Sequence, residues 1–117
     1  MVMTLQKAYR LTRRSDFSKV YNAGRSVANR QFVLYVMRNE RVEHFRLGIS
    51  VSKKVGKAVV RNRMKRLVKE IVRRLSPRVK PHHDMVIVVR NAALDLDYES
   101  MTRSIEHVMK RADLLTS

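Results

Sequence analysis

Between Val60 and Leu75, seven apolar residues (Val60, Met64, Leu67, Val68, Ile71, Val72, Leu75) recur at i, i+4, i+7, i+8, i+11, i+12 and i+15. Only a helix gathers that spacing onto one side, so this segment must be a helix lying on an apolar surface. At about 100° per residue, Asn62, Lys65, Arg66, Lys69 and Arg73 fall roughly opposite the stripe, while Arg61 and Arg63 flank it. The rest of the chain has to supply the surface that covers the stripe and leave the basic side open. Ser76-Pro77 stops the helix, because proline disfavours helical geometry in the residue before it.

Three β-rich runs can build that surface. Gln31–Met37 is apolar on both parities, which suits a strand covered on both faces. Phe32, Leu34 and Val36 share one side, and Gln31, Val33, Tyr35 and Met37 the other. His44–Val51 alternates, with Phe45, Leu47, Ile49 and Val51 on one side. The polar stretch Arg38–Glu43 joins these two runs, and the spacing predicts an antiparallel hairpin. Met85–Val89 is wholly apolar and reads as a buried central strand. A short first helix carries Phe17, Val20 and Tyr21, with Thr12 or Ser15 as its cap and Gly24 as its end. A last helix starts near Asp97 and places Tyr98, Met101, Ile105, Val108, Met109 and Ala112 on one face. Residues 1–11 lack periodicity and read as extended or partly ordered. The predicted order is α-β-β-α-β-α, an α+β sandwich of helices on a small sheet, and at 117 residues one domain spanning 1–117.

The formal net charge is +16, and it is concentrated. Between Val51 and Lys80 there are twelve Lys or Arg and one acid, Glu70, whereas residues 91–117 are slightly acidic. An excess of one sign costs folding energy through self-repulsion, so a polyanionic partner is implied. Lys53, Lys54, Lys57, Arg61, Asn62, Arg63, Lys65, Arg66 and Lys69 are the candidate contacts: guanidinium and ammonium groups for phosphates, and an amide able to donate and accept beside a sugar or base. Backbone amides at Lys54–Ala58, leading into the helix, favour an anion at that end. Phe17, Tyr21 and Tyr35 form a second constellation, for which core packing and stacking on unpaired bases both stay open.

Protein-borne catalysis finds little support. Zero cysteines exclude disulfides and thiolate chemistry and agree with a reducing, cytoplasmic setting. The N-terminus lacks the apolar core of a signal peptide, and no apolar run is long enough to span a membrane. His82-His83-Asp84 reads as a solvated turn rather than a metal site. A metal-dependent nuclease needs clustered carboxylates, but the candidate acids Asp95, Asp97, Glu99, Glu106 and Asp113 sit in or near the last helix, remote in sequence from the basic block. A basic amphipathic helix could also lie on anionic lipid, but here its apolar stripe is needed to cover the strands.

The run Leu47-Gly48-Ile49-Ser50-Val51-Ser52-Lys53-Lys54-Val55-Gly56-Lys57-Ala58-Val59, leading into Arg61-Asn62-Arg63 and Lys65-Arg66, resembles the signature block of the protein subunit of bacterial ribonuclease P. Asp16-Phe17 and Ser26–Phe32 resemble that family as well. The resemblance implies a ribonucleoprotein endonuclease that removes the 5′ leader of precursor tRNA, with chemistry on RNA-bound Mg²⁺ and no catalytic group on the protein. It implies that the basic helix faces the catalytic RNA and that Phe17, Tyr21 and Tyr35 line a cleft for the single-stranded leader. It further implies a small mixed sheet with a left-handed β-α-β crossover through the Arg61–Leu75 helix, against the right-handed form that general rules favour. The residues from Lys110 to Ser117 depart from the pattern in lacking a strongly basic tail. Neither a membrane nor a small-molecule substrate is expected. Two rival readings share the charge: a structural RNA-binding protein of ribosomal type, and a DNA-compacting protein.

Overall fold

The computed structural model describes residues 6–116, so the stretch expected to be extended over 1–11 is seen only from Gln6. In chain order the elements are α1 (Arg14–Ala23), β1 (Arg25–Ala28), β2 (Phe32–Arg38), β3 (Arg46–Val51), α2 (Ala58–Leu75), β4 (His83–Val89) and α3 (Tyr98–Arg111). Short 3₁₀ turns lie at Lys7–Tyr9, Ser76–Arg78 and Asn91–Asp95.

The strands form one sheet in the order β1-β2-β4-β3. β1 and β4 each pair antiparallel with β2, and β3 runs parallel to β4. The predicted hairpin is therefore overturned: β2 and β3 do not pair, because β4 lies between them. The cause is composition. β4 buries Met85, Val86 and Ile87 completely, so both its faces need cover that only the sheet centre supplies. Residues 39–45 are long enough to step across one strand, about 10 Å at the usual spacing. That link is fastened by Asn39 N–H donating to the His82 carbonyl (2.8 Å), and His82 Nδ1 lies 2.6 Å from the Val42 carbonyl.

Two layers cover the sheet. On one face Phe32, Leu34, Val36, Leu47, Met85 and Ile87 meet the α2 stripe (Met64, Val68, Ile71, Val72, Leu75) and the α3 stripe (Met101, Ile105, Val108, Met109). Each of these side chains contributes roughly 1.5–3 kcal/mol by leaving water, so this layer dominates stability. The opposite face carries a smaller cluster of Leu11, Val20 and Val86, edged by Phe17, Tyr35, Met37 and Val88, beneath α1. β2 is thus covered on both sides, as its double-parity pattern predicts.

β1 has no counterpart in the predicted order, which becomes α-β-β-β-α-β-α. Its four residues are mostly exposed on the sheet edge, so they carry no apolar alternation to read. The α1 cap also differs. Arg13 occupies that position with no side-chain bond, and neither Thr12 nor Ser15 caps. Leu11 is buried and its N–H donates to the Leu47 carbonyl (2.8 Å), which fixes where the helix can begin. Thr12 then falls before the cap and Ser15 after it, while Asp16 gives the first turn its negative charge. Gly24 does end α1: a Cβ there would lie 2.5 Å from the Val36 carbonyl oxygen. Asp97 caps α3, its Oδ1 accepting from Ser100 N–H at 2.8 Å. The C-terminal segment is packed, with Leu114 buried and Leu115 bridged to Val79.

Candidate nucleic-acid interface

α2 spans Ala58–Leu75 because its stripe has the whole sheet face to bury against. Its N-terminus has no side-chain cap. Instead Arg61 reaches back and donates to the Gly56 carbonyl (2.8 Å), closing the loop that carries Lys53, Lys54 and Lys57. Those three lysines, Asn62, Arg63 and Arg66 are exposed, while Arg61, Lys65 and Lys69 are half-buried along the flanks. Among the described residues, none of the eight cations in this set joins an ion pair. The cations near the end of α2 are employed within the protein: Arg73 pairs with Glu70 (2.6 Å), and Arg74 lies 5.5 Å over the Tyr98 ring. The open charge therefore belongs to the loop and the first two-thirds of the helix.

That charge is concentrated enough to act on itself. Burial, then repulsion from Arg10 and Lys65, holds the Lys69 ammonium below the usual lysine range. Arg10 reaches this position because its backbone bridges to Leu47, and its Nε is buried without a partner among the described residues. A phosphate would relieve the repulsion that the fold imposes here.

On the other face of the sheet, α1 and β2 bring three aromatic rings together. Tyr21 and Tyr35 meet edge to face, with centroids 4.9 Å apart and planes at 89°. Tyr21 is 38% exposed, the high value of the three. Phe17 points the tip of its ring at Gly48, where a Cβ would lie 2.6 Å from its Cζ. Phe17 and Tyr35 are half-buried on the small core beneath α1. Phe17 and Tyr35 thus rest on the small core and keep open surface, while Tyr21 packs edge-on against Tyr35 and is the most open of the three.

The family model for ribonuclease P matches residues 5–113. The chain belongs to the ribonuclease P protein family. It is 51% identical over 108 residues to the ribonuclease P protein component of an Exiguobacterium species, covering 92% of this chain and 93% of that one. With the ribonuclease P protein component of Listeria innocua it shares 42% over 106 residues, covering 91% and 89%. Its fold matches the RNase P protein structure of Staphylococcus aureus with a TM-score of 0.87 and 43% identity over 94% of this chain and all of that one. The RNase P protein of Thermotoga maritima matches with a TM-score of 0.81 and 33% identity, covering 87% and 96%.

In this ribonuclease P family member the geometry adds residues that sequence reasoning missed. Arg46 precedes Gly48, and so its contact with Phe17, by two residues along β3, on the α1 side of the sheet. Its Nε and Nη2 donate to both carboxylate oxygens of buried Asp84 (2.8 Å each), and Asp16 of α1 lies 3.8 Å from Nη1. Asn39 donates to Asp84 as well (2.9 Å), so the carboxylate is fully engaged. The hydrogen bond to Asp84 holds the Arg46 guanidinium above its usual range. Asp84 thus tethers β4 to β3, and Arg46 tethers both to α1. The sequence held one signal for this, an acid at the head of a wholly apolar strand, which requires a partner. Gly48 and Arg10 gave no such signal, since a close approach and a buried Nε appear only in three dimensions.

Proposed function

We propose that this chain is the protein component of a bacterial ribonuclease P, a ribonucleoprotein endonuclease that matures the 5′ end of tRNA. In this reading the loop and α2 (Lys53, Lys54, Lys57, Arg61, Asn62, Arg63, Lys65, Arg66, Lys69) bind the catalytic RNA. Phe17, Tyr21 and Tyr35 hold the single-stranded leader of precursor tRNA by stacking, and Arg46 fixes the helix that carries two of them. The observation that carries the reading is the separation of two chemistries on opposite faces of one sheet. The dense cation set of the loop and α2, without ion pairs among the described residues, rides on one face, and aromatic rings with open surface, beside the sparser cations Arg13, Arg14 and Lys19, lie on the other. Phosphate-rich structured RNA suits the first and unpaired bases suit the second.

The chain's own role is electrostatic and positional. Two large RNAs repel each other, and a protein of charge +16 between them offsets that repulsion, so both the substrate and its metal ions are held at physiological salt. We assign the catalytic Mg²⁺ to the RNA. Asp16 and Asp84 face Arg46, Glu40 faces Arg38, Glu70 faces Arg73, Glu106 faces Arg78, Asp113 faces Lys80, and Asp97 caps α3. These seven acids are dispersed and engaged, and among the described residues no three acids or histidines come together as a cage for an ion that needs several at once. The test is cleavage of precursor tRNA by a bacterial catalytic RNA at low Mg²⁺, with and without this protein. The reading expects 5′ cleavage only with both components. Cleavage by the protein alone, or no gain over RNA alone, overturns it.

A further inference from the structure

At one end of the sheet, Val51, Val89, Phe32 and Ala28 stand side by side, because Val89 pairs with both Phe32 and Val51 and Ala28 pairs with Val33. Three connections leave from this end. They are the basic loop Ser52–Lys57 that feeds α2, the link from β4 through Arg90, and the β1–β2 turn at Asn29–Gln31. The cations of the loop therefore continue along a rim through Arg90 to Arg30. Arg90 is tied into this rim, its guanidinium donating to the Asn29 carbonyl (3.2 Å).

The rim ends in a pocket of about 420 Å³ between the β1–β2 turn and α3. Its volume falls within the range of small-ligand sites, roughly 300–1,000 Å³. Ser100, Arg103, Ser104 and His107, spaced i, i+3, i+4 and i+7, form one stripe of α3 along it, and Leu96 closes the end. The polar groups of the floor are already satisfied. Asn29 donates to the Ser104 carbonyl (2.9 Å) and accepts from the N–H groups of Gln31 and Phe32, and Ser104 Oγ donates to Gln31 (2.9 Å). The walls are not. Arg30 is exposed and pairs with no acid among the described residues, and Arg103 has only a 3.2 Å bond to Ser100 Oγ. No acid lines the pocket. A pre-satisfied floor beneath two available guanidiniums and an imidazole ring suits a flat base with a phosphate attached.

We propose that this pocket holds one unpaired nucleotide of the catalytic RNA, its phosphate between Arg30 and Arg103 and its base against the His107 ring. Arg and His planes are among the surfaces on which splayed RNA bases stack. The catalytic RNA is the occupant, rather than the leader, because α3 packs on the same sheet face as α2, and α1 with its aromatics lies on the other. The inference rests on the proposed role as the protein component, and it extends the RNA-binding surface from α2 across the sheet end to α3.

The experiment is filter binding of the full-length protein to catalytic RNA alone, over a series of salt concentrations, for wild type, Arg30→Ala, Arg103→Ala and Ser100→Trp. Thermal melts verify that each variant folds, and Arg30 and Arg103 are exposed enough to be removed without disturbing the core. Each arginine variant is expected to bind about tenfold more weakly, the size of one lost charge-assisted contact. Its log–log salt slope should fall by about one. Ser100→Trp fills the pocket and keeps the charge, so affinity should drop with the slope unchanged. The preference of the assembled enzyme for precursor over mature tRNA should be retained in all three. Wild-type affinity in the arginine variants overturns the proposal. So does wild-type affinity in Ser100→Trp, which would mean a surface phosphate contact without an inserted nucleotide. So does a loss of precursor preference at unchanged catalytic-RNA affinity. Failure of the wild type itself to bind catalytic RNA would remove the proposed function along with the pocket.

Discussion

Replacing Gly48 with alanine should damage the proposed leader cleft while leaving the basic helix untouched. A Cβ at this position would lie 2.6 Å from Phe17 Cζ and 2.7 Å from Cε2, and the three nearest neighbours are all atoms of that ring. Comfortable carbon–carbon contact needs about 3.5–4.0 Å, so the ring tip must retreat by roughly 1 Å or more. Phe17 is half-buried at the margin of the small core, so it can pivot outward instead of forcing the sheet apart. The stability cost should therefore stay near the lower end of overpacking effects, about 1 kcal/mol. The functional cost should be larger. A base stacked on an aromatic ring is worth about 1–3 kcal/mol, so a displaced Phe17 should lower affinity for leader-bearing precursor tRNA by about fivefold to a hundredfold. The assay is equilibrium binding of precursor and mature tRNA by the assembled enzyme. Mature tRNA affinity should not change. Phe17→Ala should reproduce the effect, and the double variant should be no worse than either single one, because both act through the same ring. An unchanged precursor-to-mature ratio in Gly48→Ala, or additive losses in the double variant, would refute the placement of Phe17 in the leader site.

Arg66→Ala should weaken catalytic-RNA binding and lower the salt slope by about one, with the melting temperature unchanged because this exposed side chain has no ion-pair partner among the described residues; filter binding over a salt series checks it. Asp84→Ala should destabilise the fold by about 2–4 kcal/mol in urea titrations, since it strands the Arg46 guanidinium and the Asn39 amide at a buried position; the lower bound allows for the partial exposure of Arg46. Acid should also destabilise the protein. Ser100 N–H holds the Asp97 carboxyl, and the Arg78 guanidinium the Glu106 carboxyl, below their ordinary values of 3.8 and 4.5. Such groups stabilise the fold fully above those ordinary values and lose the contribution as pH falls through the lower folded values. Glu106→Gln should therefore flatten the acid limb of urea midpoints measured against pH, leaving the neutral range less affected.

Much of the fold follows from periodicity. The α2 stripe is long and regular enough that its end and buried face could be read directly, though its uncapped start could not, and Asp97 marks α3 by a capping bond local to the chain. The strand order could not be read the same way. Pattern shows that β2 and β4 each need cover on both faces, but not which takes the position beside β3, because that choice is made by long-range burial. β1 is an exposed edge strand held by backbone pairing, and such a strand leaves no apolar signature in the sequence. The basic face of the candidate site was legible because charge clusters along the chain itself. Arg10, Arg46 and Gly48 were not, since their significance depends on contacts with Lys69, Asp84 and Phe17, distant in sequence.

The central claim is that the two faces of the sheet hold two different RNAs. The sequence contains no cysteine, so one introduced thiol gives one labelled position. A photo-crosslinker on Tyr21→Cys and, separately, on Arg66→Cys, in the enzyme assembled with catalytic RNA and precursor tRNA, tests the claim directly. The account predicts crosslinks from position 21 to the leader and from position 66 to the catalytic RNA. Crosslinks from position 66 to the leader, or from position 21 to the catalytic RNA alone, would contradict it.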